Sequence, residues 1–291
     1  MTLLASVRSA WSYQANNKLN VAQVGVGGRG GWFIGCIPKL GHHYVALCDV
    51  NDQRSAEAYS RFPEAKKYHR TVREARVARE TARQQKVATQ MGNQGTSAEP
   101  FRRAVELVRA GVLGEVREVH VWNNQGGPGH SRTPPGTEPV PAYLRWDLWL
   151  GPAADRPFHR EWFKWHQWRD FATGNLGNWG PHTANLAFLA LNVHALWHAP
   201  AGGKPPLIRV EAQVPEINRI SFPKWEQIRF EVPAREGMPP VTFHWHNGNG
   251  PGSRDHVESL LKRGLDWGDK GEKKWKDWAG LLLVGSKGMI H

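Results

Sequence analysis

The stretch "LNVAQVGVGGRGGWFIGCIPKLGHHYVALCDVND", Leu19 to Asp52, decides the fold. A short apolar run, Val21 to Val26, reads as a strand. A glycine cluster and a helix-like run follow, then a second apolar run, Tyr44 to Cys48, that ends on Asp49. Strand, glycine turn, helix and strand make the first half of a βαβ unit. Within it Gly25, Gly27 and Gly30 stand in a G-x-G-x-x-G arrangement, and Asp49 follows Gly30 after nineteen residues. Each part has a physical task. Gly25 permits a tight turn, Gly27 presents no side chain to a pyrophosphate, and Gly30 lets helix and strand pack closely. The helix N-terminus offers N–H groups and a positive dipole end to phosphates. The loop Gly25, Val26, Gly27, Gly28, Arg29 and Gly30 is therefore a candidate dinucleotide site. A carboxylate at Asp49 accepts hydrogen bonds from a ribose diol and repels a 2′-phosphate, which favours NAD over NADP.

Working outward, a helix is expected around Ala56 to Arg61, then "KKYH" (Lys66–His69). The next stretch, "YHRTVREARVARETARQQKV" from Tyr68 to Val87, spaces Arg70, Arg73, Arg76, Arg79, Arg83 and Lys86 along one side of a helix. With a net charge of +12 and a pI near 10.0, this raises nucleic acid as a partner. Glu74 and Glu80 interrupt the stripe and no helix-turn-helix, zinc-finger or RNP-type pattern accompanies it, so an ordinary solvated face is expected. "VATQM", Val87 to Met91, reads as a strand. "TSAEPFRRAVELVRAG" reads as a helix with capping-box spacing at Thr96 and Glu99, an apolar stripe of Phe101, Ala104, Val105 and Val108, and Gly111 at its end.

The pattern changes near residue 118. After the alternation at Val119 and Val121 comes a glycine- and proline-rich loop, Asn123 to Pro141, a tryptophan-rich region, and a helix near His182 to Leu191. Three strands with period-two alternation follow: Ile208 to Val214, Ile228 to Val232, and Val241 to Trp245. Such alternation means one covered and one wet face. The expected architecture is α/β: a reduced Rossmann-type parallel sheet domain over residues 19–118, then an α+β domain with an open-faced, mainly antiparallel sheet over 119–291. Residues 1–18 read as an unstructured extension. "GLLLVGSKGMIH" ends on the start of another strand with no closing element, as if truncated.

Of 291 residues, 40% are hydrophobic, enough for one large core or two ordinary ones. No run approaches a transmembrane span, so no membrane partner is expected. Cys36 and Cys48 read as buried, reduced thiols. The N-terminal "MTLLASVRSAW" has too short an apolar run for a signal peptide, which makes the chain as written cytoplasmic. Many of the 15 tryptophans fall between Trp146 and Trp179, where they serve either sugar stacking or core filling. His244 and His246 lie on one strand face, but no carboxylate or cysteine nearby in sequence completes a ligand set, so no metal site is expected.

Together with the glycine loop, "ATQMGNQGT", "YLRWDLWLGPAADRPFH" and "WRDFATGNLGNWGPHTANLAF" resemble the Gfo/Idh/MocA oxidoreductases, in particular a bacterial branch with a "WDLWLGPA" signature. The resemblance runs from about Lys18 to the end. It implies NAD(P)-dependent oxidation or reduction of a sugar, inositol or related polyol, and homo-oligomers formed through the C-terminal sheet. It makes His182 the general base. Asn178 and Asn185 stand where the family motif has acidic residues, so they orient substrate but do not titrate. Asn93, Gln94 and Trp146 match segments near the cofactor, and Arg145 lies on the nicotinamide side of the pocket. Trp165 and Arg169 become sugar contacts. "ANNKLNVA" resembles the start of the mature domain in exported relatives, which would make the location periplasmic if an export signal were missing. The family's further segment, ending in Glu-Lys-Pro, has no counterpart: His69 runs straight into Arg70. Its lysine normally stabilises charge developing on the reacting hydroxyl. The resemblance therefore implies impaired catalysis, or a binding-only or incomplete relative. With the neighbouring strands gone, "VATQM" is expected to move in beside the Val21–Val26 strand.

Overall fold

The computed structural model describes residues 18–68, 77, 80–90, 92–198, 206–252, 255–264 and 278–291. The His69–Arg70 junction and most of the arginine stripe lie outside these residues. The chain divides into two compact units, Met1–Thr89 with Gly136–Arg160, and Gln90–Pro135 with Glu161–His291. These units do not follow a cut near residue 118.

The first unit holds a three-stranded parallel sheet in the order β1 (Asn20–Val24), β2 (His43–Cys48), β3 (Lys66–Tyr68). Two short helices, α1 (Gly31–Ile34) and α2 (Cys36–Lys39), connect β1 to β2, and α3 (Asp52–Arg61) connects β2 to β3. Helix α3 starts where the sequence supplies a cap: the Asn51 side chain accepts the Arg54 N–H at 2.9 Å. Val26, Ile34, Tyr44, Leu47, Ala58, Tyr59 and Ala65 form the core of this unit. Val24 and Val45 are exposed at 81% and 42%. Cys48 is buried as expected, whereas Cys36 is exposed.

The sheet corrects one expectation. Residues 87–90 form no strand, and β1 has no second neighbour among the described residues. Asn93 donates its side-chain N–H to Pro181 O at 3.1 Å, within the second unit. The β1 residues are exposed or half-buried, so an edge without a second partner among the described residues costs little. Residues 80–84 are helical and their flanks are mostly exposed, in keeping with a solvated face.

The second unit is built on a six-stranded sheet. Its order is β5 (Arg209–Gln213), β6 (Glu226–Val232), β7 (Val241–Asn247), β4 (Val116–Asn123), β8 (Ala279–Gly285), β9 (Met289–Ile290). Only β4 and β7 run parallel. The alternation read in the sequence points Val119, Val121, Phe243, Trp245 and Leu283 into one core. Helices α4 (Glu99–Arg109), α6 (Gly174–Thr183) and α7 (Asn185–Ala190) contribute to that core. The predicted capping box is not made: α4 starts at Glu99 after an uncapped Ala98, and Thr96 donates its hydroxyl to Asn93 O at 2.9 Å. The helix expected from His182 begins earlier, at Gly174, and breaks at Ala184, three residues after the Pro181 that removes a helical N–H. No helix among the described residues is long and apolar enough to cross a membrane.

Candidate functional site

In the first unit the glycine loop follows β1 directly. Gly25 has φ +78°, a conformation that side chains resist, and donates its N–H to Cys48 O at 2.8 Å. A Cβ on Gly30 would stand 1.8 Å from the Gly25 carbonyl oxygen, so this position closes the loop on itself. A Cβ on Gly27 would meet the Arg54 Cβ at 2.7 Å. Gln23 braces the turn, donating its amide to Gly30 O at 2.8 Å and Gly25 O at 3.1 Å. Gly28 is also left-handed, at φ +53°. Arg29 lays its guanidinium over the Trp32 ring at 3.9 Å.

Asp49 sits at the carboxyl end of β2 and holds this loop. Its Oδ2 accepts the N–H groups of Val26 and Gly27, both at 3.0 Å, and its Oδ1 accepts that of Asn51 at 3.0 Å. The Val26 side chain itself belongs to the core, 2% exposed. The N–H groups of Gly30, Gly31, Trp32 and Phe33 close turns onto the carbonyls of Gly27, Gly28, Arg29 and Gly30. The Gly28 and Arg29 amides take no part in these turn bonds.

The segment carrying Arg145 and Trp146 docks at the same end of β2. Leu144 bridges Asn51, Arg145 N–H donates to Val50 O at 3.2 Å, and Asp52 N–H donates to Tyr143 O at 3.0 Å. Helix α5 (Trp146–Leu150) follows. The Trp146 indole stacks on Trp149 at 5.0 Å, meets Phe158 edge-on at 5.2 Å and donates its N–H to Arg156 O at 2.9 Å. Arg145 is exposed. Residues far apart in sequence thus gather outside the carboxyl ends of β1 and β2, where parallel sheets bind ligands.

In the second unit α6 carries Asn178 and His182, four residues apart and so on one helical face. Asn185 opens α7. His182 is exposed and lies 5.7 Å from the Trp179 ring. Asn93 joins this group through its bond to Pro181 O, and Gln94 beside it is exposed. A buried amide network that the sequence reading missed positions the helix. Asn175 donates to Gly126 O at 2.6 Å and to Asn247 Oδ1 at 3.2 Å, which ties the first turn of α6 to the end of β7. Gly174, at φ +70°, accepts the Phe222 ring where a Cβ would stand 2.7 Å away.

Trp165 is 45% exposed. Arg169 holds a loop: its Nε donates to Asn218 O and Ser221 O, both at 2.9 Å, and its guanidinium lies 4.8 Å from the Phe222 ring centre.

The expectation that no carboxylate accompanies His244 and His246 needs correction. The parallel pairing of β4 with β7 brings Glu118 and His120 beside them, and His256 of α8 (Asp255–Gly264) joins the group. Hydrogen bonding to His120, above all, holds the Glu118 carboxyl down at about 2. Burial pushes the His244 imidazole down to about 4. The signal was present as "EVH", two residues with one strand face, but the strand pairing was not readable.

A three-stranded parallel sheet with a glycine loop and a six-stranded mixed sheet give a mixed α/β fold that recurs in solved structures at low sequence identity. The chain is similar in structure to the WlbA dehydrogenase of Bordetella pertussis, solved with NADH and UDP-GlcNAcA (13% identity, 94% of this chain and 78% of that one, TM-score 0.52). It is also similar to a proposed NADPH-dependent oxidoreductase of Desulfitobacterium hafniense (12% identity, 93% and 71%, TM-score 0.51). No family model and no curated protein matches the sequence.

Proposed function

We propose that the chain is a nicotinamide-dinucleotide oxidoreductase of the Gfo/Idh/MocA type, acting on a sugar, inositol or related polyol. The observation that carries this reading is the loop Gly25–Gly30 clamped by the Asp49 carboxylate at the carboxyl end of β2. The NADH and UDP-sugar held by the B. pertussis structure agree with it. In this reading the first unit serves the cofactor and the second the substrate and oligomerisation, with homo-oligomers made through the sheet.

The residues fit a dinucleotide in part. Open space surrounds the Cβ position of Gly25, and the Gly28 and Arg29 amides would donate to a phosphate. A ribose hydroxyl must share Oδ1 of Asp49 with the Asn51 N–H. The same carboxylate disfavours a 2′-phosphate, which makes NAD the assigned cofactor. The dinucleotide supplies a hydride acceptor. The chain supplies His182, whose imidazole takes the proton of the substrate hydroxyl. Asn178 and Asn185 orient the substrate by hydrogen bonds, and Trp165 offers a stacking face to a sugar. Arg145 and Trp146 border the cofactor site, and the family resemblance assigns Asn93 and Gln94 to the cofactor as well.

A second reading, a non-catalytic dinucleotide- or sugar-binding relative or an incomplete gene product, is favoured by the absence of a Glu-Lys-Pro triplet from the sequence. Without that lysine the developing alkoxide lacks its cation, so turnover is slow. Calorimetric titration with NAD+ and NADP+, followed by a polyol screen read by NADH absorbance, separates the readings. NAD+ binding with turnover supports the first, and NAD+ binding without turnover supports the second. Binding of neither dinucleotide at millimolar concentration overturns both.

A further inference from the structure

The face of the six-stranded sheet opposite the main core carries a cluster that the oxidoreductase reading does not use. Glu118 and His120, two apart on β4, project to this face. The parallel register sets His244 opposite His120, and His246 opposite Trp122. Helix α8 lies over the same face, packing Val257 and Leu261 with Trp122 and Leu282. That packing brings His256, in the first turn of α8, onto the cluster.

The donor atoms converge on one carboxylate oxygen. Glu118 Oε1 is 2.9 Å from His120 Nε2, 3.0 Å from His256 Nε2 and 3.7 Å from His244 Nε2. We propose that Glu118, His120 and His256 form a binding site for a divalent transition-metal ion of the zinc class, fastening α8 to the sheet. One ligand atom from each residue lies within 4.8 Å of the others. Bonds of about 2.0–2.2 Å to a tetrahedral ion require ligand separations of roughly 3.4 Å, so the two glutamate–histidine distances must open slightly while the wider separation within the set closes. The site can do this asymmetrically. His120 is fixed, with its side chain 2% exposed, while the His256 side chain is 57% exposed and moves at little cost.

Three further features suit the assignment. A ligating histidine needs its other ring nitrogen held, and His120 Nδ1 lies 3.3 Å from His246 Nε2. His244 flanks the carboxylate, its ring stacked on His120 at 4.8 Å and 15°. The nearby cation Arg229 is engaged by Glu211 at 3.1 Å and Glu231 at 2.5 Å, which dilutes its repulsion of a metal. Two imidazoles and one carboxylate leave a fourth position for water or another donor.

The test uses the full chain, stripped with a chelator and titrated with Zn2+ by calorimetry, with bound metal measured by elemental analysis after dialysis. One zinc per chain is expected. His256→Ala, an exposed change that spares the fold, and Glu118→Gln each lower the affinity by about 100-fold. His43→Ala, at the surface pair His42–His43, leaves it unchanged. Cobalt(II) substitution gives the visible bands of a four-coordinate site, and these are lost in His256→Ala. No stoichiometric zinc, or zinc affinity and cobalt spectra unaltered by His256→Ala, overturns the proposal.

Discussion

Removing the Asp49 carboxylate should release the glycine loop from the sheet. Three amides, those of Val26, Gly27 and Asn51, donate to it, each at 3.0 Å. Val26 and Asn51 are buried, at 2% and 9% exposure, so water cannot readily replace the lost acceptor there. A hydrogen bond to a charged group contributes about 1.5–3 kcal/mol, and an orphaned buried donor costs about 1–3 kcal/mol. The three bonds share one group, so they do not add, and the half-buried Gly27 amide is partly rehydrated. Asp49→Ala is expected to destabilise the first unit by about 3–5 kcal/mol on these grounds. Asp49→Asn keeps one accepting oxygen and turns an N–H2 toward the remaining donor, so about 1–2 kcal/mol is expected. Because total stabilities are about 5–15 kcal/mol, the alanine variant should expose the loop in the native state.

Hydrogen–deuterium exchange of peptides spanning Gly25–Phe33 and His43–Asp49 is the assay, alongside urea denaturation. Fifteen tryptophans make fluorescence a mixed signal, whereas exchange reports the loop itself. The expected order of protection is wild type, then Asn, then Ala, with the second unit unaffected. An alanine variant within about 0.5 kcal/mol of wild type, with unchanged exchange over the loop, would refute the clamp.

Gly30→Ala and Gly25→Ala separate steric from conformational demand. The first places a Cβ 1.8 Å from backbone oxygen and should cost about 3 kcal/mol or more, while the second meets open space but a φ of +78° and should cost about 1–2 kcal/mol, as denaturation midpoints will show. Arg169→Lys lacks the planar group that spans Asn218 O and Ser221 O; a lowered melting temperature is expected, and a changed KM with unchanged melting would instead make Arg169 a substrate contact. Burial raises the Glu226 carboxyl above its ordinary 4.5, where it accepts from Trp245 Nε1 and Asn247 Nδ2, both at 3.3 Å. Stability from a raised carboxyl is full below the ordinary value and is lost as pH climbs through the raised one. Glu226→Gln should therefore gain on wild type as pH rises from about 4 to 8, and a constant gap in melting temperature across that range would contradict this.

The legible parts of the molecule are those set by local rules. Period-two alternation places β6 and β7 with the correct faces inward, since a one-residue slip would bury Arg229 and Glu231, whereas β5, alternating in the same way, is exposed throughout. Glycine spacing places the loop, whereas the helix expected from Ala56 starts at Asp52, one turn earlier, behind the Asn51 cap. The misreadings share a cause. Thr96 has capping-box spacing, yet its hydroxyl prefers the carbonyl of Asn93, because Asn93 is held by Pro181 from eighty-eight residues away. "VATQM" has strand content, but no property of five residues states which edge they join.

The same limit hid the clearest chemistry in the second unit. Glu118 and His120 are two residues apart, and His244 and His246 are two residues apart, so each pair shows its shared face in sequence. Whether the pairs meet depends on β4 lying next to β7, a parallel contact between strands more than a hundred residues apart. His256 needs one condition more, the docking of α8 through Val257 and Leu261 on that face. A ligand set distributed over two strands and a helix has no spacing rule, unlike a loop that carries all its donors in one turn. Its signature in sequence is only an excess of histidine and glutamate at outward-facing strand positions, which a wet sheet face also explains. Pairing turns that composition into convergence on a single carboxylate oxygen, and it is there, rather than in the two-residue spacing, that the two explanations part.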